Sequence, residues 1–215
     1  LFRHYERNPI DLIEDWGVTY DPRLLEIGMP AYLPFKLFPK QRETLHWVLE
    51  RMANSQAGLI EKSRDVGASW LLVALGASLC LFRHGMSVGL GSRKEAYVDE
   101  PNPKSLMQKA RIFIEWLPVP LRRGWDRKQH SAHKRIRFPA TQAIMAGDAG
   151  DHIGRGDRVG LYIVDESAFL ERPTLVDAAL SATAACRIDI STPNGMGNPF
   201  AIKRHAGKIP VWTLS

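Results

Sequence analysis

Lys62-Ser63-Arg64-Asp65-Val66-Gly67-Ala68-Ser69 is the stretch on which the reading of this chain turns. The common phosphate-binding pattern, G-x-x-x-x-G-K-[ST], opens on a glycine, reaches the β- and γ-phosphates with a lysine and holds Mg2+ with a hydroxyl. With Gly67 on the second glycine, Ser69 takes the hydroxyl position, Ala68 stands where the lysine belongs, and Lys62 occupies the opening position. The ammonium therefore enters from the strand side of the loop instead of the helix side.

The flanks suit such a loop. Gly58-Leu59-Ile60-Glu61 is short and mostly apolar, as a buried parallel strand is, and residues 70–82 form an almost unbroken apolar run long enough for a helix. Strand, loop and helix come in the order phosphate binding requires, because loop N–H groups and the positive end of the helix dipole then face one anion.

Working outward, residues 1–36 mix aromatics, prolines and charges, with a short helix expected over 8–16, and read as an N-terminal appendage on a core of residues 37–215. A helix is expected from Pro39 to about Ser55, with Leu45, Val48, Leu49 and Met52 on its buried face. Beyond the loop helix, a second core strand is expected over 86–92. An amphipathic helix over 104–117 is stopped by Pro118, and an antiparallel hairpin is expected over 133–147. Residues 161–164 predict a third strand, 173–182 a helix with proline in its first turn, and 187–190 a fourth strand. This alternation predicts an α/β fold, a mostly parallel sheet with helices on both faces.

Composition narrows the class. The chain has 215 residues and 45% hydrophobic content, enough for a globular core, and Lys+Arg 29 against Asp+Glu 23 gives +6, which suits a polyanionic partner. Cys80 and Cys186 lie in apolar runs and read as buried thiols in a reducing compartment. The histidines show no ligand spacing. The longest apolar stretch, 71–82, is shorter than the roughly 18 to 20 residues of a bilayer span, so no membrane association is expected.

Leu161-Tyr162-Ile163-Val164 runs into Asp165-Glu166. Acids placed at the carboxyl end of a buried strand lie where α/β sheets gather ligands. An Asp there can hold Mg2+ beside Ser69, and the adjacent Glu can orient and deprotonate a water for in-line attack at a γ-phosphate. The next strand ends in Ser191-Thr192-Pro193, whose hydroxyls can sense that phosphate through the water.

Taken together, these pieces resemble the ATPase motor domain of the large terminase subunit of tailed bacteriophages. Residues 62–69 match its deviant Walker A, 161–166 its Walker B, and Ser191-Thr192-Pro193 its coupling motif. Gln41 resembles the adenine-contacting glutamine upstream of the loop. Gly154-Arg155-Gly156 resembles the segment that supplies an arginine finger to a neighbouring subunit. Ser63-Arg64 matches the Ser-Arg often found in terminase loops, where the arginine can pair with the catalytic glutamate. The resemblance covers residues 38–215 and implies a P-loop NTPase fold of the ASCE, RecA-like kind. It implies ATP and Mg2+, with Gln41 and Lys62, Ser63, Arg64, Asp65, Val66, Gly67, Ala68 and Ser69 around the nucleotide, and Ser69 and Asp165 on the metal. Lys62, Glu166, Thr192 and Arg155 are the implied catalytic residues. Double-stranded DNA, a homo-oligomeric ring, a portal protein and a small terminase subunit are the implied partners, in the cytoplasm of the host.

Two departures accompany the resemblance. Ala68 replaces the usual loop lysine, although some terminases also carry theirs at the front. The carboxylate cluster of a terminase nuclease is not found after Thr192, so the motor is expected without the nuclease.

Residues 122–137 hold Arg122, Arg123, Arg127, Lys128, Lys134, Arg135 and Arg137 against one acid, Asp126, and are the candidate DNA-phosphate contacts. Lys203, Arg204 and Lys208 read as ordinary surface. Two other readings share these features. One is a helicase-like DNA-dependent ATPase, which would need a second lobe. The other is a nucleotide-binding scaffold on DNA or portal with little turnover, which Ala68 favours.

Overall fold

In a computed structural model describing residues 1–215, the chain opens with helices α1 (Phe2–Arg7) and α2 (Pro9–Trp16) and an antiparallel ribbon. The ribbon's strands, β1 (Val18–Tyr20) and β2 (Tyr32–Pro34), enclose the short helix α3 (Arg23–Glu26). Helix α4 (Pro39–Ala53) leads to β3 (Gly58–Lys62), and the loop then delivers the chain to α5 (Ala68–Phe82). Next come β4 (Ser87–Ser92), α6 (Glu95–Val98), α7 (Leu106–Trp116), α8 (Arg127–His130), β5 (Ser131–Ala132), β6 (Arg135–Phe138) and β7 (Ala143–Ala149). The acid strand β8 (Val159–Asp165), α9 (Pro173–Thr183), β9 (Ala184–Ser191), α10 (Pro199–His205) and β10 (Val211–Leu214) complete it.

Eight strands form one sheet in the order β10-β3-β9-β8-β4-β7-β6-β5, parallel from β10 to β7. Only β6 runs against the other strands, pairing antiparallel with β7 and with β5, so the expected hairpin is present as β6 and β7, and its second strand is bonded into the main sheet beside β4. No helix is long and apolar enough to cross a membrane.

Helix α5 explains its own unbroken hydrophobicity. All but one of its side chains are buried, because α1, α2, α4 and α7 cover it on the sides that the sheet does not. A helix apolar all round is stable only when enclosed in this way. The opposite face of the sheet carries α9 over Tyr162 and Val164, and α10 over Leu59 and Ala168.

Three features were not legible as read from the sequence. Tyr5, Ile10, Leu12 and Ile13 of the N-terminal segment join the same core cluster as α5 and β4. The segment is therefore packed under the loop helix as well as placed ahead of it. Helix α10 and strand β10 had no periodic signal to announce them, since β10 is four residues long and its burial comes from pairing beside β3. Lys203 and Arg204, expected as ordinary surface, are bound into ion pairs: Lys203 Nζ lies 2.5 Å from Asp177, and Arg204 Nε 2.5 Å from Glu61.

Candidate active site

The topology places β9 between β3 and β8. Strands lie about 4.8 Å apart, so the carboxyl ends of β3 and β8 are separated by roughly 10 Å, a gap that two side chains can close. They do close it: Lys62 Nζ lies 3.2 Å from Glu166 Oε1, above the end of β9. Lys62 is only 10% exposed, whereas the Glu166 side chain is 31% exposed, so the carboxylate can still meet solvent.

The loop is held in shape by backbone geometry and by one amide. Asp65 and Gly67 have positive φ, at 61° and 70°, and the residue at 67 begins the turn into α5, a conformation that glycine adopts without strain. Gln41 Nε2 donates to the Val66 carbonyl at 3.0 Å, while Gln41 Oε1 accepts the Phe38 N–H at 3.0 Å. Gln41 thus lines the cavity beside the loop, with its amide engaged in clamping it. Ala68 is buried, and its methyl side chain brings no charge to the loop.

From the first turn of α5, Ser69 Oγ donates to Asp165 Oδ2 at 2.7 Å. Asp165 is 8% exposed, and burial pushes its carboxyl above the usual range against the pull of Ser69 and Lys62. Glu166 follows with φ 56°, a conformation uncommon outside glycine that turns its side chain away from Asp165 and towards Lys62. No three His, Cys, Asp or Glu side chains converge as a metal site anywhere in the chain. A hydroxyl and one carboxylate are hard oxygen donors that fit Mg2+, an ion that completes its shell with waters and phosphate oxygens.

Two cavities meet at the loop. The larger, about 950 Å3, runs from Ser69 past Gln41 to Tyr20, Arg23 and Phe35, so β1, β2 and the segments beside them form its far wall. The smaller, about 430 Å3, lies over the carboxyl ends of β3, β4 and β8 and is lined by Asp165, Glu166, Arg64 and Thr192 among others. Lys62, Asp65, Ser69 and Lys109 line both.

Most of the expected residues therefore converge, with two corrections. The resemblance allowed Arg64 to pair with the glutamate at position 166; in the structure Glu166 pairs with Lys62, and Arg64 is exposed at the rim without a partner. The basic stretch 122–137 does not act as a single phosphate-facing group. Arg122 donates to the Leu117 carbonyl, Arg123 donates to the Leu81 carbonyl and packs over Phe2 and Phe82, Arg127 pairs with Glu115, and Lys134 pairs with Glu95. Arg135 and Arg137 remain on the outer face of β6, and Lys128 also faces solvent. Arg155 is exposed, follows a 3-10 turn at Gly150–His152 and has no side-chain partner.

Sequence reasoning missed the N-terminal wall of the larger cavity and Lys109. The Lys109 side chain extends from the first turn of α7 and is 7% exposed; burial pushes its ammonium down to about 8, opposed by the charge of Asp165. Its only sequence signal was a lysine on the apolar face of an amphipathic helix, a position normally given to a hydrophobe.

No protein-family model matches the chain, and no curated protein does. Among solved structures, the large terminase of the thermophilic bacteriophage D6E superimposes with a TM-score of 0.57 at 12% identity, over 82% of this chain and 45% of that one. The large terminase ATPase domain of Thermus phage P74-26 does so with a TM-score of 0.54 at 16% identity, over 84% and 72%. The D6E protein in complex with ATP-gamma-S gives a TM-score of 0.52 at 14% identity, over 82% and 44%. The chain thus has the fold of these ATPase domains and spans about half the length of the D6E protein.

Proposed function

We propose that this chain belongs to the large-terminase family and is the ATP-hydrolysing motor domain that drives double-stranded DNA into a procapsid. The observation that carries the reading is the convergence of Lys62, Ser69, Asp165 and Glu166 at the carboxyl end of a parallel sheet whose fold is that of terminase ATPase domains. Binding of ADP and ATP-gamma-S by the D6E protein supports ATP as the substrate.

Lys62 would move from Glu166 to the β- and γ-phosphates when the nucleotide arrives. That transfer releases the carboxylate to orient a water and take its proton. Ser69 and Asp165 would hold Mg2+, which when bound neutralises charge developing on the phosphates. Thr192, beside Glu166 in the smaller cavity, would contact the water or the γ-phosphate. Gln41, the loop and the N-terminal wall would shape the nucleotide's larger cavity. Arg155, exposed and unpaired, would reach the site of a neighbouring subunit, so hydrolysis would require a homo-oligomeric ring. Arg135, Arg137 and Lys128 are the remaining candidates for transient, sequence-independent contacts to DNA phosphates. The portal and small subunit would be partners during packaging in the host cytoplasm.

The test separates binding from turnover. Glu166→Gln should bind ATP-gamma-S as the parent does and lose hydrolysis by at least about a hundredfold, the scale of general-base catalysis. Unchanged hydrolysis in that variant would remove the assignment. A second reading, a nucleotide-dependent scaffold without turnover, is favoured by the burial of Ala68 and the Lys62–Glu166 pair. Parent protein that binds ATP-gamma-S but shows no DNA-stimulated hydrolysis at high concentration would select it.

A further inference from the structure

Helix α7 carries a buried ammonium that no carboxylate pairs directly, Asp165 acting on it only from beyond ion-pair distance. Lys109 is almost wholly enclosed, its hydrogen-bond acceptor is the Lys104 carbonyl oxygen, and no carboxylate lies within ion-pair distance. The Trp70 ring, 5.9 Å from Nζ, adds only a weak attraction. An ammonium at that depth is costly unless an anion joins it.

The space in front of it is built for an anion. Lys109 stands where the two cavities meet, across the loop from Lys62. In the smaller cavity the Ser92 hydroxyl is 1% exposed and has no partner, and Arg93 Nε is buried and likewise unpartnered. Donors without acceptors therefore surround a cleft that already holds Lys62 and Arg64. Meanwhile the loop has no lysine of its own at position 68, and the charge of Lys62 is shared with Glu166.

We propose that Lys109 is a direct ligand of the substrate's triphosphate, a second cation on the β- and γ-phosphate oxygens delivered from α7 in place of the lysine that Ala68 lacks. The proposal rests on the ATPase reading given above. On binding, Nζ exchanges the Lys104 carbonyl for phosphate oxygens, a stronger charge-assisted hydrogen bond. Lys62 on the strand side and Lys109 on the helix side then hold the polyphosphate between them. In this arrangement Lys109 touches the substrate and is a catalytic residue in its own right.

Lys109→Met keeps the volume of the stem and removes the charge. Titration calorimetry at fixed salt would measure binding of ATP-gamma-S and of inorganic tripolyphosphate to parent and variant, with Lys208→Met, an exposed lysine remote from the cavities, as the control for non-specific charge. The expected result is a loss of about tenfold or more for both ligands in Lys109→Met, with little change in the control. The unliganded variant should melt no lower than the parent, since the burial cost of the ammonium outweighs its longer-range attraction to Asp165. Affinity in Lys109→Met within about twofold of the parent would overturn the proposal. So would an equal loss in Lys208→Met. Should Lys109→Met fail to fold, Lys109→Gln is judged by the same criteria. A parent that binds tripolyphosphate but not ATP-gamma-S refutes the ATPase reading alone and leaves Lys109 to be decided on tripolyphosphate. A parent that binds neither refutes both.

Discussion

At the carboxyl ends of β3 and β8, the largely enclosed Lys62 and the buried Lys109 share one cleft; towards the β6–β5 edge of the same sheet, more cations lie within sixteen residues of sequence, yet they diverge. Arg127 and Lys134 turn to Glu115 and Glu95, Arg123 covers Phe2 and Phe82, and Arg135 and Arg137 face outward. The far edge is anchored by a buried pair, with Arg111 Nη1 2.5 Å from Asp99 Oδ1, and Asp99 also accepting the Lys134 N–H. Charge density along a chain is therefore a poor guide to a site. Desolvation and convergence make a cation useful for chemistry, while local pairing uses it for structure.

Arg155 offers the largest way to break this contrast, because it is exposed and unpaired and yet is proposed to act in catalysis. Arg155→Ala should lower hydrolysis by about a thousandfold or more, as loss of an arginine finger does, with ATP-gamma-S binding retained. Mixing Arg155→Ala with Glu166→Gln should restore part of the activity, since each supplies what the other lacks across a subunit boundary. A mixture as inactive as its components would show that Arg155 does not act in trans.

The structural use of charge is sharpened by Asp99→Asn, which leaves Arg111 buried without its anion. A loss of about 3 to 5 kcal/mol by denaturant titration is expected. Burial pushes the Asp99 carboxyl up, but the Arg111 guanidinium and the Lys134 N–H more than offset this and leave it below the usual carboxylate range. Its contribution to stability is thus fully present above the unfolded value of about 4 and is lost as the pH falls through the lower folded value. Parent and Asp99→Asn should converge in stability on acidification below that window; parallel pH profiles would contradict the pairing.

The smallest effect concerns the outward-facing arginines. Arg135→Gln with Arg137→Gln should change the melting temperature little, as surface substitutions do. It should lower the slope of log binding constant against log salt for duplex DNA by up to about 2, roughly one for each phosphate that is no longer neutralised. An unchanged slope would take β6 out of the proposed contacts to DNA.

From Lys62 to Ser69, and from Leu161 to Glu166, the order of residues was enough to indicate a strand–loop–helix, an acid-tipped strand and an alternating α/β core, because period, apolar runs and turn residues are local signals. The same local character makes Gly67 and Ser69 recognisable without a structure. What the order could not settle is which distant groups meet. Insertion of β9 between β3 and β8 brings Lys62, not Arg64, to Glu166, and the packing of α7 on α5 carries Lys109 to the loop. The N-terminal segment becomes a cavity wall only once Ile10, Leu12 and Ile13 are buried against α5. Such encounters depend on strand order and on burial summed over the whole core, quantities that no short window of sequence contains.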